Sequence, residues 1–197
     1  MKTFLTCVLF IVASAGNAAE ILDVSVDRES STYYMRSEVR FDVPPRYLFD
    51  VLTDWDLSTQ FSSVVVESRN VPADESGRPG FYARNRACVA FFCKSFERTG
   101  YVDAQPLDVI TAVANPDNSD FHVSVEEWHF TSDGDTTTIR YQLEMHPKFW
   151  VPPLIGPYLI KRKLEKDGGD ALARIESIAL QNYLDSSSVS LDAIETP

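Results

Sequence analysis

The chain has 197 residues, 44% of them hydrophobic, and a formal net charge of −11. That length accommodates one domain with a sizeable core. The negative balance argues against a nucleic-acid partner, whose phosphates would be repelled.

Lys2 gives a short positive start, and Phe4 to Ala15 form an apolar run too short to span a bilayer. Gly16-Asn17-Ala18 supplies small residues for cleavage. Residues 1–18 therefore read as a signal peptide cut after Ala18, with Ala19 the alternative. The expectation is an exported protein, periplasmic or secreted. Cleavage removes Lys2 and Cys7, and no lipid-attachment motif precedes Cys7.

Residues 19–31 are polar without periodicity and read as a loose lead-in. Tyr33 to Val43 alternate: Tyr33, Met35, Val39 and Phe41 fall on one face, Arg36, Glu38, Arg40 and Asp42 on the other. This is a half-buried strand, ended by Pro44-Pro45. Two short helices follow, over Arg46–Leu52 and Trp55–Phe61, with Thr53 or Asp54 as a cap. Ser62–Val71 reads as a strand and Pro72–Pro79 as a loop. Gly80–Val89 and Phe92–Asp103 read as a hairpin, Leu107–Ala114 as a short strand apolar on both faces, Asn115–Asp120 as a turn. Phe121–Thr131 and Thr136–His146 form a second hairpin.

The last stretch, Trp150 to Tyr183, carries Leu164, Gly168, Leu172, Ile175, Ala179 and Tyr183 at spacings of four or three. That lays one stripe along a helix of roughly 40 Å, with Pro157 suited to its first turn. Gly168 lies on the stripe. Either it leaves room for a bound molecule, or Gly168-Gly169 kinks or ends the helix. Residues 185–197 are serine-rich and acidic and read as a disordered tail. The domain is thus 32–184, of α+β class: about seven antiparallel strands, curved and wrapped on a long C-terminal helix, with two short helices after the first strand. Such a shape leaves a concave apolar space suited to a ligand.

In the first hairpin, a turn centred between Ala90 and Phe91 places Cys88 opposite Cys93 and Arg84 opposite Glu97. In an exported chain this predicts a disulfide. The spacing fits neither a redox pair nor a metal site. The apolar tip Val89-Ala90-Phe91-Phe92 either packs on the protein, guards a cavity mouth or touches a membrane transiently. The run Lys161-Arg162-Lys163 is a solvated helix face or an aid at an anionic surface.

The second hairpin, turning at Asp133-Gly134, puts Trp128, Ile139, Tyr141, Leu143 and Met145 on one buried face and Glu127 opposite Arg140. The same alternation places His122, Ser124 and Glu126 on that face. Polar groups there need partners, water or the polar head of a ligand. His122, Ser124, Glu126, Trp128, Tyr141, Leu143, Gly168 and Leu172 are the candidate ligand-binding residues. His122 and Glu126 also have acid–base chemistry available. Hydrolase, P-loop, Rossmann and zinc-protease motifs are missing from the sequence, so no catalytic residue, cofactor or metal is expected, and a monomer is. His129 and His146 read as isolated and exposed, Trp55, Phe61, Phe81 and Trp150 as core.

Phe41-Asp-Val-Pro-Pro-Arg-Tyr-Leu-Phe-Asp-Val-Leu-Thr-Asp-Trp-Asp, continuing to Phe61 and Val64-Val-Val-Glu-Ser, resembles the START / Bet v 1-like superfamily, in its polyketide cyclase and coenzyme Q-binding branch. Phe149-Trp-Val-Pro-Pro-Leu-Ile-Gly resembles that family's entry into its last helix. The resemblance covers about residues 32–183. It implies a helix-grip cavity for a lipid, sterol, quinone or polyketide, with enzymes a minority. The expected function is binding of a hydrophobic small molecule; a cyclase or dehydratase, or a ligand-free interaction module, is the alternative.

Overall fold

The computed structural model describes residues 19–89, 91–152 and 156–192. Residues 1–18, with the signal-peptide cleavage site, lie outside that range, as do Ala90, 153–155 and 193–197.

Eight antiparallel strands form one sheet: β1 Glu20–Glu29, β2 Thr32–Phe41, β3 Val65–Val71, β4 Gly80–Val89, β5 Phe92–Gln105, β6 Val109–Ala114, β7 Phe121–Asp133 and β8 Thr136–Pro147. Their order is β1-β2-β8-β7-β6-β5-β4-β3. After β3 each strand pairs with its predecessor, which short turns enforce. Strand β2 then closes against β8, with Val39 opposite Ile139 and Met35 opposite Leu143. The register brings like apolar faces together.

The lead-in is a correction. Residues 20–29 are an edge strand paired to β2, not a loose segment. A bulge at Leu22 breaks the alternation that would have announced it. The turn back into β2 holds Ser30 at φ 55°.

Helix α1, Pro45–Thr53, buries Leu48 and Val51 and starts on a proline, where a missing N–H costs nothing. A 3-10 turn at Trp55–Leu57 and α2, Ser58–Phe61, follow. Asn70 of β3 pins this joint: its Oδ1 accepts from Trp55 N at 3.1 Å and its Nδ2 donates to Asp54 Oδ1 at 2.7 Å. Trp55 then stacks on Phe81 with ring centroids 4.1 Å apart.

Helix α3 runs from Pro157 to Asp192, 36 residues, about 54 Å at the usual rise. Gly168-Gly169 neither ends nor divides it. It also extends past Tyr183, so residues 185–192 are helical rather than a tail. Ser186, Ser187 and Ser188 return their hydroxyls to carbonyls three or four residues back, which lets a serine run stay helical. Ile175 and Ala179 enter the core beside Val39, Phe41, Leu48, Val51 and Phe81, with Leu172 partly buried against it. Tyr183 packs its ring 5.2 Å from that of Tyr47 in α1.

Candidate functional site

The inner face of the sheet carries a buried charged pair. Arg98 of β5 and Glu126 of β7 form an ion pair, their side chains 10% and 8% exposed. Arg98 also donates to Ser124 Oγ at 3.3 Å. Strand β6 lies between the two strands and presents Ala112 and Ala114 to the same face. These small side chains let a long arginine cross it. Gly100, two residues beyond Arg98, is required by close approach: an added Cβ would sit 1.9 Å from the Val113 carbonyl oxygen.

Both ions are out of water, so each needs the other. Burial lowers the pKa of Arg98, and its interaction with Tyr141 opposes that shift. A guanidinium nevertheless stays charged in proteins. Among the described residues, Arg98 Nε has no hydrogen-bond partner. Tyr141 of β8 lies in the field of Arg98; burial pushes its pKa up to about 12 and the guanidinium pulls the other way. Tyr141 is therefore a neutral phenol at physiological pH. Its ring is 5.4 Å from that of Trp128, the residue opposite it on β7.

Toward one end of the face Phe96, Phe121 and Phe149 form an aromatic cluster with centroids 5.3 to 5.9 Å apart, and Lys94 lies over Phe149. Surface depressions lie elsewhere. One of about 260 Å³ is lined chiefly by Tyr34, Arg36, Val125, Glu127, Gln142 and Glu144. These alternate with the inner-face residues and so face away from Arg98.

The structure brings together Ser124, Glu126, Trp128, Tyr141 and Leu143 on one face, as the alternation requires. The hairpin register differs by one pair: Asp133 is opposite Thr136, so Trp128 faces Tyr141 and Glu126 faces Leu143. Gly134 takes φ +60° in a turn over Gly134-Asp135, one residue later than expected from the sequence. The shift of two in register keeps every face assignment but moves Glu127 off Arg140. Glu127 meets His129 at 3.1 Å and Arg140 meets Glu38 at 3.7 Å.

His122 is corrected. It lies in a bulge between Phe121 and Val123, and the extra residue turns it outward. It is exposed, with its ring 5.0 Å from His146. His129 and His146 are thus half-buried and partnered, not isolated. Trp150, assigned to the core, is 72% exposed. Leu172 is partly buried against the core, and an added Cβ at Gly168 would meet nothing within 4 Å.

Arg98 is not among the residues the sequence pattern singles out. In Lys94-Ser-Phe-Glu-Arg-Thr-Gly nothing marks it, although the first-hairpin register puts it opposite Ala83, on the face of Phe81. That register is observed, with Cys88 opposite Cys93 and a disulfide between them. Phe91 at the tip is 76% exposed. Lys161 and Lys163 pair with Glu165 and Asp167 one turn on, so the basic run is largely neutralised within the helix. Among the described residues, no helix is long and apolar enough to cross a membrane, and no three His, Cys, Asp or Glu side chains group as metal ligands.

A curved antiparallel sheet, a pair of short helices after β2 and a long C-terminal helix define a START-like protein. The family described as polyketide cyclase / dehydrase and lipid transport matches residues 41–164, more than half of the chain, and the chain belongs to that family. Solved structures agree in fold. Human STARD10 is similar with a TM-score of 0.54 at 15% identity, over 88% of this chain and 82% of that one. The Zhui aromatase/cyclase from Streptomyces sp. R1128 is similar at 0.56 and 12% identity, over 77% and 96%. A STAR-related lipid transfer protein from Xanthomonas axonopodis gives 0.57 and 16%, over 77% and 98%. No curated protein matches the sequence.

Proposed function

We propose that the chain is an exported carrier or sensor of a hydrophobic small molecule, a lipid, sterol or quinone, held between sheet and α3. The observation that carries this is the Arg98–Glu126 pair on the inner face with Arg98 Nε unpartnered among the described residues. An unsatisfied buried donor costs about 1–3 kcal/mol, and a ligand oxygen would satisfy it. The pair is net neutral and Tyr141 is protonated. The fitting polar group is therefore a neutral oxygen, a carbonyl or hydroxyl; an anion would bring an uncompensated charge. Apolar burial would supply affinity at about 25 cal/mol per Å² before ordering costs. A family that includes lipid transport, and the likeness to a STAR-related lipid transfer protein from Xanthomonas, support this class. Export rests on the leader-like residues 1–18.

A second reading, a closed interaction module, is favoured by how completely Ser124, Glu126 and Arg98 are buried. For a carrier, that burial means the elements covering the pair must open during uptake. Exposed Phe91 and Trp150 would be the surfaces to meet a membrane.

The test is equilibrium uptake of a neutral carbonyl-bearing lipid probe by wild type, Ser124→Ala and Trp128→Ala, each first shown to be folded. The carrier reading expects stoichiometric uptake by wild type, weakened about tenfold or more in Trp128→Ala. Turnover of the probe class would instead indicate a cyclase-type enzyme. Equal uptake in all three removes the site.

A further inference from the structure

Glu176 lies in the buried half of α3, 8% exposed. Its Oε2 accepts from the backbone N of Ala19 at 2.8 Å and its Oε1 from the backbone N of Asp42 at 3.0 Å. Among the described residues no cationic side chain pairs with it. A buried carboxylate with two amide donors has one hydrogen bond on each oxygen and its charge unmet. One of those two donors is the nitrogen that the expected cleavage after Ala18 would turn into an ammonium.

We propose that Glu176 is the receptor for the chain's own processed N-terminus, the Ala19 α-ammonium. The proposal rests on the export reading. Hydrolysis of the Ala18–Ala19 peptide bond leaves a carboxylate on Ala18 and the amine, protonated at neutral pH, on Ala19. That new cation arises 2.8 Å from a carboxylate otherwise without a counter-charge. A backbone N–H there already gives a charge-assisted hydrogen bond; an ammonium adds the opposite charge and turns it into an ion pair. The same carboxylate holds Asp42, the residue just past β2, so the docked terminus would tie the open end of the β1–β2 hairpin to α3. Edge strand β1 carries much of its surface to solvent and needs such an anchor. Removal of the leader would thus be a step in completing the fold.

The test compares two exported proteins, each with and without Glu176→Gln. One has the natural sequence; the other has a serine inserted between Ala18 and Ala19, so the Ala19 nitrogen stays an amide. N-terminal sequencing fixes each start. The expected result is that Glu176→Gln lowers the Tm of the Ala19-started protein by about 5–10 °C and that of the serine-extended protein by less than half as much. Independently of that substitution, amide exchange across Glu20–Glu29 is expected to be about tenfold faster in the extended protein. An Ala19 start with equal losses in both backgrounds and equal exchange overturns the docking alone. A processed start at a residue other than Ala19 overturns this proposal and leaves export standing; an intact Met1 overturns both.

Discussion

Arg98 of β5 and Glu126 of β7 form a buried ion pair across β6, over the small side chains of Ala112 and Ala114. The placement puts two opposite charges and a neutral phenol, Tyr141, on the face a sheet of this shape turns toward its long helix. Each charge is tolerated because the other is present.

Breaking the pair should therefore cost more than removing it. Glu126→Leu is expected to lose about 3–5 kcal/mol, because Arg98 is left charged and buried. The double variant Arg98→Met/Glu126→Leu should recover at least half of that. Urea unfolding of the four proteins of this cycle measures the coupling; additive losses would mean the ions are solvated.

Gly100 should not accept a side chain. Its added Cβ would meet backbone at 1.9 Å, which no rotamer change relieves. Gly100→Ala is expected to lose more than about 2 kcal/mol, whereas Gly168→Ala, with nothing within 4 Å, should gain a few tenths to 1 kcal/mol from helix propensity. Thermal melts of both variants check the contrast.

Tyr141 should set part of the alkaline limit. Its pKa is about 12 in the fold against about 10 in the unfolded chain. A group whose proton is held more tightly when folded lends stability below pH 10 and loses it as pH rises to 12. The loss is on the order of 2 kcal/mol. Tyr141→Phe should flatten the stability curve between pH 10 and 12; an unchanged slope would place the phenol in water.

The Cys88–Cys93 bridge closes a small loop, so its removal should cost only about 2 kcal/mol. Intact mass should rise by about 2 Da on reduction, with folding retained. Unfolding on reduction would give the hairpin tip a larger part than its loop length allows.

Much of this arrangement was legible in the chain because alternation is a strong signal. Trp128, Tyr141, Leu143, Ser124 and Glu126 fell on one face even though the register was wrong by a pair, since a shift of two preserves facing. The Cys88–Cys93 and Arg84–Glu97 opposition fixed the other hairpin outright. What alternation cannot carry is a bulge. The one at Leu22 hid β1, and the one at His122 turned a presumed inner histidine outward. Arg98 was hidden for another reason. Its meaning depends on Glu126, two strands away, and on the alanines between, a relation that only sheet order supplies. Glu176 has the same character: its partners are 157 and 134 residues distant.

The most direct test of the central claim is native mass spectrometry of the protein isolated from the cells that make it, followed by extraction of whatever it holds. The account predicts one apolar molecule per chain, uncharged at its polar end, and released from the Arg98→Met/Glu126→Leu protein. A protein that is isolated empty, and stays empty when offered neutral lipids, sterols and quinones, would contradict it.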